Sequence, residues 1–189
     1  MYFTHKALLL TAGILGSSLV SASTATVALT NETVKGDANF DMGTYGVDAG
    51  FSYDKDESIS TGYIGLGIED SDPTGPLQVG LGARIYGIDT DLKNDSDISV
   101  AIALGGWYRY TIPEANRLSI FGSLYYAPES LSLTNLNHMY VYEVRAEYMT
   151  MKNARAFVSY GKTRIVYDNA AGTRKEANNG FAVGATVEF

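Results

Sequence analysis

Gly180-Phe181-Ala182-Val183-Gly184-Ala185-Thr186-Val187-Glu188-Phe189 is the stretch whose reading decides the fold. Phe181, Val183, Ala185, Val187 and Phe189 share one parity, while Ala182, Gly184, Thr186 and Glu188 share the other. In a pleated strand the two parities lie on opposite faces, so one face is apolar and the other small or polar. A half-buried strand of a soluble sheet shows the same alternation. The final aromatic separates the two cases. A carboxylate beside a buried ring has to stay in water, and a strand that ends at an interface between apolar and aqueous phases satisfies both groups.

The other end of the chain follows a different pattern. Residues 1–6 carry one Lys and no acid, residues 7–20 are uncharged, and residues 21–25 read Ser-Ala-Ser-Thr-Ala. This is the order of a secretory signal peptide, with small residues placed for cleavage after Ala22 or Ala25. The apolar run is broken by Gly13, Gly16, Ser17 and Ser18 and is too short to remain as a spanning helix. No Cys follows it, so a lipid anchor has no attachment point. Residues 1–25 are therefore read as the signal, 26–42 as a lead-in segment and 43–189 as one domain. The roughly 165 residues left after cleavage suit one domain rather than two.

The whole chain has a net charge of −7, and the signal removes one Lys and no acid, so the mature protein is more acidic still. Such a chain is not expected to bind nucleic acid. With no cysteine, it has neither disulfides nor thiolate metal sites. A closed sheet, in which every backbone group is paired, is another source of stability for an exported protein. No later segment is apolar over the roughly 18 residues a spanning helix needs, so any membrane crossing would be made by strands.

Alternating segments recur at residues 44–54, 58–69, 77–88, 98–110, 117–126, 140–149, 154–167 and 180–189. The clearest sets Tyr140, Tyr142, Val144, Ala146 and Tyr148 against Val141, Glu143, Arg145, Glu147 and Met149. Two are ambiguous. In 58–69 the apolar residues Ile59 and Tyr63 oppose Ile64, Leu66 and Ile68, which predicts a bulge near Gly62 or Gly65. In 154–167, Lys162 and Arg164 share the parity of Val158 and Tyr160. Pro73, Pro76, Pro113 and Pro128 fall between segments or at a segment's end, where no ladder hydrogen bond is lost. The count predicts an all-β, eight-stranded antiparallel up-and-down transmembrane barrel, with 110–117 and 150–154 as short periplasmic turns and 127–139 and 168–178 as long external loops. The connection at 54–57 is short for an external loop, and the following turn at 70–76 is longer.

Sidedness decides between two functions. A lipocalin-type barrel would turn its apolar face inward around a ligand. Here the polar face is mostly Gly, Ala and Ser with single charges, which suits a crowded interior. The apolar face carries Tyr45, Tyr53, Tyr108, Tyr110, Tyr126, Tyr140 and Tyr148 near segment ends, where interfacial girdles place amphipathic rings. The expected lumen holds a charge network of Asp48, Glu143, Glu147 and Glu188 with Arg84, Arg109 and Arg145. An eight-stranded barrel is about wide enough to be filled by its own side chains, so the lumen is expected to be plugged. A narrow porin-like channel is the alternative, and a soluble exported barrel binding an apolar ligand is the third reading.

The ending Phe181, Val183, Ala185, Val187, Phe189 resembles the closing strand of bacterial outer-membrane barrels, a membrane-insertion signature. Three further stretches resemble the YfaZ family of predicted outer-membrane proteins: Gly105-Gly106-Trp107-Tyr108-Arg109-Tyr110, Tyr125-Tyr126-Ala127-Pro128-Glu129-Ser130-Leu131 and Glu143-Val144-Arg145-Ala146-Glu147-Tyr148. The resemblance runs from about Tyr45 to Phe189 and implies a barrel in the outer membrane of a Gram-negative cell; it implies little about activity.

Catalysis has weak support. The mature chain has one His, His138, with Ser130, Ser132, Glu129 and Glu143 nearby in sequence, and no spacing that enforces a nucleophile, base and orienting group. There is no GxGxxG, Walker loop or HExxH. The acidic stretches (Asp54, Asp56, Glu57; Asp70, Asp72; Asp89, Asp91, Asp95, Asp97) read as solvated loops without the Gly and terminal Glu of an EF-hand. No enzyme activity, cofactor or metal is expected. The expected partners are outer-membrane lipid, lipopolysaccharide and the outer-membrane assembly machinery, with the chain a monomer of structural or surface role.

Overall fold

The computed structural model describes residues 23–71, 75–90, 98–134, 136–168 and 173–189. The strands are β1 (Ser23–Leu29), β2 (Thr33–Asp41), β3 (Gly46–Asp54), β4 (Ile59–Ser71), β5 (Leu77–Thr90), β6 (Ser99–Thr111), β7 (Leu118–Ala127), β8 (Ser132–Leu133), β9 (Leu136–Met151), β10 (Ala154–Tyr167) and β11 (Arg174–Glu188). β8 is a two-residue bridge beside β6. The other ten strands form one antiparallel sheet in which each pairs with two neighbours, and β1 meets β11 to close it. The seam is finished by the backbone of Ser23 and Phe189, whose N–H groups each donate to the other's carbonyl at 3.0 and 2.9 Å.

The barrel thus has ten strands rather than the eight expected. The two extra strands come from the segment read as a lead-in together with Ser23–Ala25, which were read as the end of the signal. β1 sets Ala25, Val27 and Leu29 outward, and β2 sets Val34, Gly36, Ala38 and Phe40 outward. Both strands are short and present few large residues, so their alternation is faint. β2 is also bare at Gly36, where the Phe51 ring of β3 occupies the space a Cβ would fill. An even pair of additional strands leaves both termini at one end. The connections at 42–45, 112–117 and 152–153 lie at that terminal end, as do Ser71 and Leu77, while those at 30–32 and 55–58 lie at the far end with the strand ends Thr90, Ser99, Ala127, Leu136, Tyr167 and Arg174.

The ambiguous segments also resolve. β4 pairs with β3 and β5 without a register shift, so the expected bulge near Gly62 or Gly65 does not exist. Its parity conflict has another cause: Ile59 and Tyr63 face the barrel interior near the far end, while Ile64, Leu66 and Ile68 face outward. β10 shifts register against β9 near its two ends and against β11 across Gly161 and Thr163, where Asn178 and Gly180 adopt φ of +54° and +147°. That extra backbone turns Asn178 inward next to Ala177.

The outer wall is apolar. Leu66, Leu81, Leu104, Ile120, Val144, Val158 and Val183 are exposed around its middle, with Val183 at 62% and Leu104 at 55%. Tyr45, Tyr108, Tyr110 and Tyr148 ring the terminal end, and Tyr53 and Tyr126 stand toward the far end. Large apolar side chains turned outward over a whole wall require hydrocarbon around them, because a protein surface in water rarely carries so large a continuous patch. On this reading Val183→Arg, in mid-wall, is expected to lower the folding free energy in lipid vesicles by about 2–4 kcal/mol. A denaturant titration read by the mobility of unheated protein on a gel measures the difference, and an unchanged midpoint would place Val183 away from lipid.

Candidate functional site: the barrel lumen

Inward residues divide the lumen into two parts. At the far end Ile59, Ile88, Met139 and Ile165, all at most 1% exposed, pack with Ala101, Ala103, Ala127 and Leu136 into an apolar layer. Tyr167 caps it, its hydroxyl 3.1 Å from the Thr90 hydroxyl. Burying four large aliphatic side chains contributes about 1.5–3 kcal/mol each. Below this layer, toward the termini, is a polar chamber of about 360 Å³ lined by charged and hydroxyl side chains from every quarter of the wall. Glu69 and Glu188 at its terminal rim are exposed to solvent, so the chamber opens at that end.

The expectation of a filled lumen therefore holds for the far half only. A ten-stranded barrel is wider than an eight-stranded one, and side chains alone no longer span it where they are polar and held to the wall by ion pairs.

The sequence-derived charges converge here. Arg84 Nε donates to Asp48 Oδ2 at 2.5 Å, Arg109 Nε to Glu147 Oε2 at 2.8 Å, and Arg145 Nη2 to Glu143 Oε2 at 2.9 Å. Glu147 is 1% exposed, the most deeply buried charge of the set. Glu188 stands apart at the rim, with no ion pair within 4.0 Å among the described residues. Burial makes each pair matter, since a charge taken from water needs both an opposite charge and hydrogen bonds. The guanidinium planes find further cover on rings. Arg84 lies 4.4 Å from the Tyr63 centroid and 3.8 Å from that of Tyr125. Arg145 lies 4.8 Å from Phe121 and 4.6 Å from Phe157. Such sandwiches supply cation–π attraction and keep the flat faces dry.

Several members were not anticipated. Lys35 Nζ approaches Glu143 Oε2 at 3.9 Å, and Asp37 accepts the Tyr63 hydroxyl at 2.6 Å, both from β2. Their signal was the alternation Lys35, Asp37, Asn39, Asp41 opposite Val34, Gly36, Ala38, Phe40. Arg155 on β10 also lines the chamber. Its parity with Phe157 and Ser159, both buried, would have found it. Trp107 is inward as well, its indole lying over Gly80, where a Cβ would collide with Nε1.

The acidic stretches are not all solvated. Asp54 is buried: its Oδ2 accepts the Thr33 hydroxyl and the Asn178 N–H at 3.1 and 3.0 Å, while its Oδ1 caps the N–H groups of Asp56 and Glu57. It ties β2, β3 and β11 together at the far rim. The Asp56 carboxylate nearby pushes the Glu32 carboxyl above its ordinary value. Asp72, Asp91, Asp95 and Asp97 lie outside the described residues. Among the described residues no group of three His, Cys, Asp or Glu is placed to hold a metal ion. His138 sits beside the Asn137 side chain at 2.7 Å, Ser132 Oγ donates to the Pro128 carbonyl, and Glu143 points into the lumen toward Arg145. These groups do not form a relay.

Removing one partner of the deepest pair is expected to be costly. Glu147→Ala leaves Arg109 buried and unpaired, for a loss of about 3–5 kcal/mol, whereas replacing both Arg109 and Glu147 by apolar residues of similar volume restores most of it. Urea titration of the barrel in vesicles distinguishes these outcomes; equal losses in the single and double variants would mean that the pair is not what holds this part of the wall.

Comparisons with known proteins bear on the fold and the place of the chain. The family model described as YfaZ precursor matches residues 6–189. The outer membrane protein YfaZ of Escherichia coli (strain K12) is 32% identical over 127 residues, covering 64% of this chain and 66% of that protein, just under two thirds of its length. Among solved structures, the outer membrane protease OmpT of Escherichia coli aligns over 90% of each chain at 13% identity with a TM-score of 0.45. Neisserial surface protein A aligns over 89% of this chain and 94% of its own at 14% identity, with a TM-score of 0.38.

Proposed function

Given that this chain belongs to the YfaZ family of outer-membrane proteins, we propose that it is a non-enzymatic barrel of structural or surface role whose lumen does not conduct. The observation that carries this reading is the apolar layer of Ile59, Ile88, Met139 and Ile165 across the far half of the lumen. An aqueous path needs a continuous line of polar groups, and this layer interrupts it. With short turns on the periplasmic side, the terminal end faces the periplasm and the far end faces outward. The ion pairs then serve to hold the wide polar half of the wall in shape, and the chamber is a periplasmic recess. The closing strand, with Phe181, Val183, Ala185, Val187 and Phe189 turned to lipid, is the element offered to the assembly machinery, and the wall contacts outer-membrane lipid as a monomer.

The seam favours cleavage after Ala22 over cleavage after Ala25. Removal through Ala25 would delete Ser23 and its two backbone bonds to Phe189, along with the pairing of Thr24 and Ala25 with Glu188 and Val187. The mature protein is expected to begin at Ser23, and the intact mass of protein extracted from membranes decides between that start and Thr26.

Planar-bilayer recordings test closure of the lumen. The natural chain is expected to give no stable openings, while Ile88→Gly combined with Met139→Gly, which thins the apolar layer, is expected to produce them. Stable openings of large conductance from the natural chain would replace this reading with that of a narrow porin-like channel.

A further inference from the structure

Every lysine and arginine of the described strands faces the lumen or its rim except in one place. Lys162 and Arg164 on β10 share the outward parity of Val158 and Tyr160, since their neighbours Gly161, Thr163 and Ile165 are buried. Arg174 on β11 stands outward opposite Val166, next to them on the same wall. This is the origin of the parity conflict in residues 154–167.

Two of the three cations share one acid, and the third stands beside them on the same wall. Glu176 lies between two of them, its Oε2 2.6 Å from Lys162 Nζ and its Oε1 3.8 Å from Arg164 Nε. Arg164 Nη1 also donates to the Tyr140 hydroxyl at 3.2 Å. One carboxylate and one phenol thus hold Lys162 and Arg164 in place, and with Arg174 alongside, the three cations carry two positive charges more than Glu176 balances. Elsewhere the far rim carries Glu32, Asp54, Asp56, Glu57, Asp89 and Asp168 with Lys55 and Lys175, the latter paired with Glu57, so acids outnumber bases there. Directly toward mid-wall the surface turns aromatic and then aliphatic. Tyr142 and Tyr160 stand 6.4 Å apart, Tyr160 and Phe181 5.2 Å apart, and Val158 and Val183 follow.

Outward positions on a strand are about 6.6 Å apart, so Lys162 is one such step beyond the ring of Tyr160 and Arg164 two. Aromatic girdles mark the boundary of the hydrocarbon, which puts the cations at headgroup depth. Cations facing hydrocarbon would be costly; cations facing an anionic headgroup are stabilised, and arginine with lysine is the pairing that takes phosphate as a forked donor and a point charge.

We infer that the outer face of β9–β11 above the aromatic girdle binds the phosphorylated headgroup of an outer-leaflet glycolipid, through Lys162, Arg164 and Arg174, with acyl chains lying on Tyr160, Phe181, Val158 and Val183. The inference rests on the orientation proposed above, with the far end outward. A lipid fits better than a free anion because the charged and apolar halves of the surface are continuous.

The test uses the full folded barrel in neutral detergent micelles with fluorescent diphosphorylated lipid A, its dephosphorylated counterpart and inorganic phosphate as separate probes. The natural chain is expected to bind the phosphorylated lipid at least tenfold more tightly than the dephosphorylated one. Lys162→Gln with Arg164→Gln is expected to remove that preference, while Lys152→Gln, at the terminal end, keeps it. Should the double variant fail to fold, Arg174→Gln and Arg164→Gln singly are each expected to weaken binding several-fold. Equal affinity for both lipids, or an undiminished preference in folded variants, would overturn the site. Inorganic phosphate at millimolar concentration displacing the lipid completely would make it a free-anion site and overturn the lipid assignment. Orientation is checked separately: Lys55→Cys, in the far-end connection, should react with an impermeant maleimide on intact cells. Labelling without lipid binding sinks the site alone, and absent labelling sinks the orientation.

Discussion

The structure depends on one seam. In hydrocarbon an unpaired backbone N–H or carbonyl has no water to turn to, so a sheet must close on itself or stay out of the membrane. Here the closing pair is β1 with β11, running from Thr24 opposite Glu188 to Leu29 opposite Val183 and finished by Ser23 and Phe189. With closure in place, each strand has one face toward lipid and one toward the lumen, and the alternation along all ten strands acquires its meaning. Leucines and valines cover the wall because their neighbour is hydrocarbon, and most strand charges collect inside because the outer face between the aromatic girdles is taken up by it.

Closure also sets the width, and the width creates the lumen's problem. Charges inside a barrel wider than its side chains can fill must be matched to one another across the wall. The solution is layered. Arg84, Arg109 and Arg145 are each paired to a carboxylate and each set against rings from adjoining strands. Glycine makes room for some of these rings, as where Trp107 lies over Gly80 and Phe157 over Gly184. Toward the far end the chemistry changes from ionic to aliphatic within a few residues of each strand, with Tyr63, Tyr86 and Tyr125 forming the transition around Arg84. The polar chamber and the apolar layer are therefore two consequences of the same ten-stranded girth, filled differently toward its two ends.

Much of this was legible in the residues. Strict alternation in 140–149 and 180–189 identified the faces, and the outward exposure of Tyr148, Val144 and Val183 agrees with that reading, as does the inward burial of Glu143, Arg145 and Glu147. Two kinds of information were not legible. β1 and β2 were missed because Ala25, Gly36 and Ala38 interrupt the outward face between Val27, Leu29, Val34 and Phe40, and Lys35 and Asp37 were missed with them. The inward Ile59 and Tyr63 imitated a bulge because an apolar residue can face either lipid or an apolar plug, and periodicity cannot tell one neighbour from the other.

The sequence by itself determined that the chain crosses a membrane as strands, which face of most strands meets lipid, and that Asp48, Arg84, Arg109, Glu143, Arg145 and Glu147 lie inside. These are local properties, written in residues two apart. Only the tertiary structure decided how many strands close the barrel, that Arg109 reaches Glu147 across 38 residues, and that apolar side chains pack in the far half of the lumen while the other half holds a polar chamber. Each of those depends on register between strands distant in the chain, and register is settled by which backbones pair around the whole circumference rather than by any one segment.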